Sequence, residues 1–179
     1  MSRALLAFLL TISVSLSAVA IAPIEKQTEQ TALFREILDR LATRHYRGQD
    51  INDDLSQRYL STYIEMLDPL KSYFLQSDIE EFNQWSTKLD DLARRGDVAP
   101  GFVMFNRLRD RLLEQLQANI ALLESDYEFD YSVDETLVLD GEERQWMLTE
   151  SEQRDYWRKR IKDSMIRLLL NDKEPVKAR

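Results

Sequence analysis

Apolar side chains recur at spacings of three and four residues along most of this chain, which is the repeat of amphipathic α-helices. Glycine and proline, four of each, fall almost entirely between these periodic stretches. The pattern predicts an all-α fold: an irregular helical bundle of about five helices, with a short extended segment before the last helix. The predicted helices cover residues 28–47, 52–67, 77–95, 100–125 and 149–171.

Residues with known preferences for helix ends support these boundaries. Asn52 and Thr149 are good N-caps, and Glu152 completes a capping box with Thr149. Gly48 and Gly96 stand where the first and third helices should stop, because glycine readily adopts the left-handed conformation that ends many helices. Most of the predicted helices are therefore marked at one end by a residue of the expected type.

The residues between the second and third predicted helices are predicted to end the second helix, form a turn and begin the third helix. Pro69 lacks an amide hydrogen and disfavours helical angles at Asp68, so the second helix should end there. Ser77 is placed to cap the third helix, with Glu80 three residues later completing a capping box. The turn also holds residues too apolar for a solvated loop, which we expect to pack against helices: Leu70, Tyr73 and Phe74.

The segment from Asp126 to Leu148 breaks the helical pattern. It is acidic, carries tyrosine and phenylalanine at alternating positions, and contains a β-prone run at residues 136–139 just before Asp140 and Gly141. A hairpin with a two-residue turn is one interpretation, but an isolated hairpin is only marginally stable in water. We therefore favour an extended segment that lies across the helices.

The first twenty residues predict a signal peptide. Arg3 gives a basic start, residues 4–16 form an apolar run, and residues 17–20 offer the small side chains that a signal peptidase reads. Cleavage is predicted after Ala20; an uncleaved membrane anchor is the alternative, although the run is short for a span of about 20 residues. The predicted organisation is a signal peptide at 1–20, a flexible mature N-terminus at 21–27, a helical domain at 28–171 and a polar tail at 172–179.

Charge and cysteine content exclude several classes of function. The net charge is −8, and removal of residues 1–20 takes away Arg3 and no acidic residue, which makes it −9. Nucleic-acid binding relies on clustered lysine and arginine, whereas the basic residues here alternate with acids along helical stretches. The chain has no cysteine, which excludes disulfides, thiol nucleophiles and thiolate metal sites. We therefore expect no nucleic acid among the partners.

No residue is predicted to be catalytic, to bind a cofactor or to ligate a metal. His45 is the single histidine and suits packing at a helix end. The acids from Asp126 onward fail the calcium-loop template, because its sixth and twelfth positions hold Tyr131 and Leu137 in place of glycine and glutamate. Weak surface binding of a divalent ion stays open. The sequence also lacks a glycine-rich phosphate loop and a Gly-x-Ser-x-Gly nucleophile elbow, and no small-molecule ligand is expected.

Four aromatic residues lie in or beside the acidic segment: Tyr127, Phe129, Tyr131 and Trp146. Core packing is the ordinary role of such large apolar side chains. The alternative is a docking surface for another domain or protein, since aromatic residues concentrate at such contacts. The sequence leaves both interpretations open.

Three stretches carry a resemblance to a known family: the block from Leu67 to Phe82, the His45–Tyr46 pair, and the run from Tyr156 to Lys162. They resemble the N-terminal helical region of tail-specific (C-terminal-processing) proteases of the bacterial periplasm, and the similarity extends from about Thr31 to Leu170. The resemblance implies that a PDZ domain and a serine protease core with a serine–lysine dyad follow this region. It also implies that the whole enzyme processes or degrades exported proteins with apolar C-terminal tails. No position here matches the family's catalytic serine, its lysine or its tail-binding loop.

The leading hypothesis is the non-catalytic N-terminal helical module of a periplasmic tail-specific serine protease, without the PDZ and peptidase domains. The sequence ends at Arg179, so we expect a fragment, a split gene or a truncated product. The expected partners are the PDZ and protease domains of the same enzyme, or a protease or adaptor protein in trans, together with protein substrates. The alternative is a free-standing periplasmic helical binding or adaptor protein without enzymatic activity.

Overall fold

The computed structural model describes residues 22–44 and 51–171, and within this part of the chain the regular structure is helical. Its α-helices are α1 (Thr28–Arg44), α2 (Asp53–Leu67), α3 (Gln76–Phe82), α4 (Leu89–Arg94), α5 (Ala99–Glu124) and α6 (Glu150–Leu170). The all-α prediction is confirmed. The predicted signal peptide with its cleavage after Ala20, the single His45 and the polar tail 172–179 lie outside the described residues.

Side-chain caps hold two helix starts where the sequence predicts them. At α2, Asn52 Oδ1 accepts a hydrogen bond from the N–H of Leu55 at 3.1 Å. At α6, Thr149 Oγ1 accepts from the N–H of Glu152 at 3.2 Å, and Glu152 Oε2 accepts from the N–H of Leu148 at 2.8 Å. Both predicted caps are confirmed.

The third predicted helix, 77–95, is wrong as a single element. The structure divides it into α3, a 3₁₀ turn at Asn83–Trp85 and α4, although the predicted end at Gly96 is kept with a φ of 71°. The middle of the stretch contains asparagine, serine and threonine, which are weak helix formers. The break also lets the N–H of Asp90 donate to Ser56 Oγ on α2 at 2.8 Å. Apolar spacing did not reveal the break because the residues on both sides of it pack against the same core.

The cap predicted at Ser77 is also wrong. Helix α3 begins one residue earlier, at Gln76, and its capping carboxylate is Asp78, whose Oδ2 accepts from the N–H of Leu75 at 3.0 Å. The N–H of Gln76 donates to the carbonyl of Met147 at 2.8 Å. This long-range hydrogen bond, which no local pattern could reveal, fixes where the helix starts.

The main core forms where α2, α3 and α5 meet the turn that follows α2. Phe74 and Phe82 are fully buried there, with ring centroids 5.3 Å apart in an edge-to-face arrangement. The other buried members of this cluster are Leu60, Ile64, Met104 and Leu108. Phe74 packs inward as predicted and Tyr73 is half-buried, but Leu70 is 42% exposed, so the prediction is wrong for Leu70. Its carbonyl is bonded inside the protein instead, to the buried Arg144.

Residues 125–149 cross the helices without a helix or strand of their own. A parallel bridge pairs Met147 with Leu75, which joins the end of this segment to the turn before α3. The alternative hairpin is not formed, and the extended segment favoured from the sequence is confirmed. Its last part, residues 141–147, lies against the turn that follows α2, where Gly141 approaches the carbonyl of Pro69.

Helix α5 is the longest described element, with 26 residues and a length of about 39 Å. Pro100 lies in its first turn, as the sequence predicts. The helix packs against α2 and α6. Among the helices of residues 22–44 and 51–171, neither α5 nor any other is long and apolar enough to cross a membrane.

Gly141→Ala is expected to destabilise the domain by about 2–3 kcal/mol, because a Cβ there would lie 1.9 Å from the carbonyl oxygen of Pro69. Gly101→Ala is the matched control. Its Cβ would meet nothing closer than the Tyr63 hydroxyl at 3.7 Å, and alanine is favoured over glycine inside a helix by up to about 1 kcal/mol. Urea denaturation followed by circular dichroism measures both changes. Equal denaturation midpoints would contradict the packing of residues 141–147 against the turn.

Candidate docking surfaces around a clamped turn

The turn between α2 and α3 is built around one buried carboxylate. Asp68 is 2% exposed, and its Oδ1 accepts from the N–H of Ser72 at 2.9 Å. Its Oδ2 accepts from the N–H groups of Tyr73 at 2.8 Å and Phe74 at 3.0 Å. Lys71 completes the turn with a φ of 49°, a left-handed conformation that residues with side chains rarely adopt. One side chain therefore satisfies three consecutive peptide N–H groups that would otherwise lack partners.

Helix α6 closes over the same turn by donating hydrogen bonds to its backbone. Gln153 Nε2 donates to the carbonyl of Tyr73 at 2.7 Å, and Trp157 Nε1 donates to the carbonyl of Ser72 at 3.1 Å. The hydroxyl of Ser72 lies 3.2 Å from the hydroxyl of Tyr156. The turn is thus bonded through its N–H groups to its own carboxylate and through its carbonyls to the last helix.

Arg144 ties the segment before α6 to this turn. Its Nη1 donates to the carbonyl of Leu70 at 2.7 Å, and its guanidinium lies 3.7 Å from the centre of the Tyr156 ring. Lys71 Nζ donates in return to the carbonyl of Arg144 at 2.7 Å. Local sequence patterns do not reveal the role of Arg144, because its partners at Leu70 and Lys71 lie 74 and 73 residues away along the chain.

The neighbouring Lys71 and Ser72 side chains are turned to different partners. The Lys71 ammonium lies 5.7 Å from the centre of the Trp146 ring in addition to its bond to Arg144, whereas the Ser72 hydroxyl contacts Tyr156. A serine nucleophile needs a general base within hydrogen-bonding reach, and Lys71 is not placed as one. Within the described ranges, no group of three or more histidine, cysteine, aspartate or glutamate residues is placed to hold a metal ion.

A second buried carboxylate, Asp78, joins α3 to α5. Besides capping α3, it forms ion pairs with Arg107 at 2.5 Å and with Arg111 at 3.0 Å. Burial alone would raise the pKa of Asp78, but hydrogen bonds from Arg111, from the N–H of Leu75 and from Arg107 hold it below its usual value. Asp78 is therefore charged at neutral pH and fixes the relative position of the two helices.

Glu135 fastens the segment 125–149 to α6. Its carboxylate forms ion pairs with Arg158 and with Lys162, the latter at 2.7 Å. Lys162 is buried and also donates to the carbonyl of Val133 at 3.0 Å. The hydrogen bonds from Arg158 and Lys162 lower the pKa of Glu135 from 4.5 to about 2. The role of Glu135 is not visible in the sequence either, because nothing local distinguishes it from the other acids of this segment.

The structure separates the four aromatic residues proposed as a docking surface. Tyr127, Phe129 and Tyr131 lie together, with successive ring centroids 5.1 Å and 6.5 Å apart, and we call these three residues the aromatic edge. Tyr127 and Tyr131 are 40% and 46% exposed. Trp146 packs instead against Phe74 of the core, with ring centroids 6.2 Å apart. A docking role for these residues stays a prediction.

An apolar groove opens between α1 on one side and α2, α4 and α5 on the other, with a volume of about 640 Å³. Its aromatic and aliphatic walls include Phe34, Ile37, Tyr59, Tyr63, Phe102 and Phe105. Ile24 also lines the groove, and its N–H and carbonyl are both bonded to the Asn106 amide at 2.9 Å. Residues 22–27 are thus held at Ile24 by two hydrogen bonds, and the flexibility predicted for residues 21–27 stays a prediction.

The second half of α5 exposes an apolar stripe. Leu112, Leu116 and Ile120 recur every four residues and are 39%, 55% and 44% exposed. The spacing places them on one face of the helix. Leu108, four residues before Leu112 on the same row, is buried, so the row passes from the core into solvent along the helix. Contiguous apolar surface of this kind is typical of a contact with another domain or protein.

The fold and these surfaces define an all-helical domain that leaves part of its apolar surface uncovered. The model of the family described as "Tail specific protease N-terminal domain" matches residues 37–179. The chain belongs to this family. It is similar to the tail-specific protease of Haemophilus influenzae, with 30% identity over 175 residues, which are 97% of this chain and 25% of that protein. The chain therefore spans about a quarter of the length of the relative it matches.

Asp68→Ala is expected to lower the free energy of unfolding by about 3–5 kcal/mol, because three N–H groups of the turn lose their acceptor. Asp68→Asn keeps one accepting oxygen and should lose less. Asp54→Ala, at an exposed position in the first turn of α2, is the control and should lose no more than about 1 kcal/mol. Urea midpoints measure the series. A loss for Asp68→Ala no larger than that for Asp54→Ala would contradict the described turn.

Glu135→Gln is expected to flatten the pH dependence of stability in acid. The folded-state pKa of Glu135 is lowered, so its stabilising effect is complete above its ordinary value of 4.5 and is lost as the pH falls towards about 2. The urea midpoint of the unmodified protein should therefore fall more steeply across this range than that of the variant. Glu142→Gln, at an exposed position of the same segment, should keep the original slope. Identical slopes for all three proteins would refute the Glu135 pairing.

Proposed function

We propose that this chain is the non-catalytic N-terminal helical module of a periplasmic tail-specific serine protease, whose PDZ and peptidase domains supply substrate binding and catalysis. Membership of the tail-specific protease N-terminal domain family supports the first part of this proposal. The quarter-length match to a whole tail-specific protease supports the second part, since the remaining domains of such an enzyme lie outside the matched region. The whole enzyme would act on exported proteins with apolar C-terminal tails.

The exposed apolar stripe on α5 is the observation that carries the proposal. A surface helix normally turns its apolar stripe towards the core of its own domain. The α5 stripe of Leu112, Leu116 and Ile120 continues the row of the buried Leu108 along the helix, yet its side chains stay partly in contact with water. A neighbouring domain of the same enzyme would cover it, at a gain of about 25 cal/mol for each Å² of apolar surface removed from water.

The ion pairs around α5 and α6 support a role in holding the protease architecture. Asp78 fixes α5 against α3 through two arginines, and Glu135 fixes the segment before α6 against that helix. Both contacts set geometry, because charged groups with several partners tolerate little displacement. The module would present the α5 stripe to the following domains at a constant position.

Export to the periplasm is the proposed location. Its support is the order of features at the start of the sequence, with Arg3, the apolar run and the small residues that end at Ala20. The resemblance of the sequence to tail-specific proteases of the bacterial periplasm implies the same location. The mature module would begin at Ile21, three residues before Ile24 joins the wall of the groove.

A chimera tests the proposal. The matching quarter of the Haemophilus influenzae tail-specific protease is replaced by this whole chain, and hydrolysis of a peptide with an apolar C-terminus is measured. We expect the chimera to keep activity within about tenfold of the parent, while the deletion of that quarter and this chain alone are inactive.

In the chimera, Leu116→Asp combined with Ile120→Asp should lower the rate at least about tenfold, because unpaired carboxylates would enter the contact. Met66→Asp, at a position 73% exposed on α2, is the matched control.

The outcomes separate the parts of the proposal. Hydrolysis by this chain alone would overturn its non-catalytic assignment. A chimera no more active than the deletion would overturn the architectural role and favour a free-standing binding or adaptor protein. The chimera should be recovered from the periplasmic fraction with Ile21 as its first residue, and retention of Met1 would overturn the proposed processing.

A further inference from the structure

The aromatic edge presents rings and unpaired backbone together. Its rings contact one another in sequence along residues 127–131. Apart from a turn at residues 131–132, the backbone of residues 126–140 forms no backbone–backbone hydrogen bond with the described residues. The N–H groups of residues 128–131 and the carbonyls of residues 127–129 are therefore available as an open edge. Such an edge can accept an added polypeptide segment through main-chain hydrogen bonds.

Carboxylates alternate with the rings of the aromatic edge. Asp126, Glu128 and Asp130 occupy the positions between and before the rings, all three exposed. Asp130 accepts from the N–H and hydroxyl of Ser132, and no lysine or arginine of the described residues forms an ion pair with any of the three. The cation of α6 that acts on Asp130, Lys162, is already paired with Glu135. The edge therefore carries three carboxylates that form no ion pair with the described residues.

The aromatic edge is held at both ends. Before it, Ser125 Oγ donates to the carbonyl of Leu122 at 2.7 Å and accepts from the N–H of Tyr127 at 3.2 Å, which joins the edge to the end of α5. After it, Lys162 of α6 holds the carbonyl of Val133 and the carboxylate of Glu135. A segment fixed at both ends loses less conformational entropy when it binds a partner.

We propose that the aromatic edge is a docking site for an extended polypeptide segment in which lysine or arginine alternates with apolar residues. The apolar side chains of the partner would pack on the rings, and its cations, on the opposite face of the extended segment, would pair with the alternating carboxylates. An acidic or uncharged segment lacks this complement and would be repelled or bound weakly. The inference goes beyond the proposed function and does not depend on it, because binding is measured on this chain alone.

Fluorescence anisotropy tests the site with a labelled peptide that alternates lysine and valine, and with a counterpart that alternates glutamate and valine. The purified 179-residue protein is expected to bind the basic peptide at least about tenfold more tightly than the acidic one at low salt. The difference should shrink at about 1 M NaCl, where the Debye length is only about 3 Å. Equal affinity for both peptides, or no binding of the basic one, would overturn the proposal.

Two variants and one control locate the binding on the aromatic edge. Tyr127→Ala with Tyr131→Ala removes the exposed rings, and the three-residue change Asp126→Asn, Glu128→Gln and Asp130→Asn removes the carboxylates. Each should weaken binding of the basic peptide by about tenfold. The control removes three exposed acids elsewhere, so that net charge changes equally: Glu65→Gln, Glu142→Gln and Glu143→Gln. Loss of binding in the control equal to that in the carboxylate variant would show general charge attraction and overturn the site, as would unchanged binding in both edge variants.

Discussion

The carboxylate of Asp68 holds the turn on which the rest of the packing depends. Pro69 ends α2, and the chain then reverses so sharply that the next N–H groups have no helical partner. Asp68 accepts hydrogen bonds from three of them, so the turn can be buried without unsatisfied donors. Burial of the turn in this form brings Phe74 to the centre of the core. An apolar residue at position 68 would leave those donors unpaired, so a side chain with accepting oxygens at this position is a requirement of the fold.

The same turn also determines where the last helix lies. The N–H groups of the turn donate to Asp68, and two of its carbonyls accept hydrogen bonds from Gln153 and Trp157 of α6. The stretches 67–82 and 156–162, which carry the family resemblance in the sequence, are therefore parts of one structural unit. The segment between them along the chain also contacts the turn, through Gly141, Arg144 and Met147. The hydrogen bonds of this one turn thus determine where α6 packs in the bundle.

The sequence predicted correctly those features that depend on contacts between residues close together in the chain. The caps at Asn52 and Thr149 were correct because each contact spans three residues, and the helix periodicity was correct because it depends on the local repeat. The start of α3 was wrong because its N–H bonds to Met147, a partner far along the chain. The roles of Arg144 and Glu135 were missed for the same reason. The aromatic residues were recognised as a group, but only the fold separates Trp146, in the core, from the rings of the aromatic edge.

Polar contacts and apolar surface have different roles in this domain. A buried ion pair contributes little net stability, because the cost of removing two charges from water offsets their attraction, but it restricts geometry. The pairs of Asp78 and Glu135 therefore explain fixed positions for α5 and the segment before α6 better than they explain stability. Apolar burial must supply the stability, yet the α5 stripe and the groove beside α1 leave apolar surface in contact with water. In this domain the charged residues fix the positions of the elements, while some apolar faces stay exposed. Such a domain is suited to present those faces to other domains or proteins.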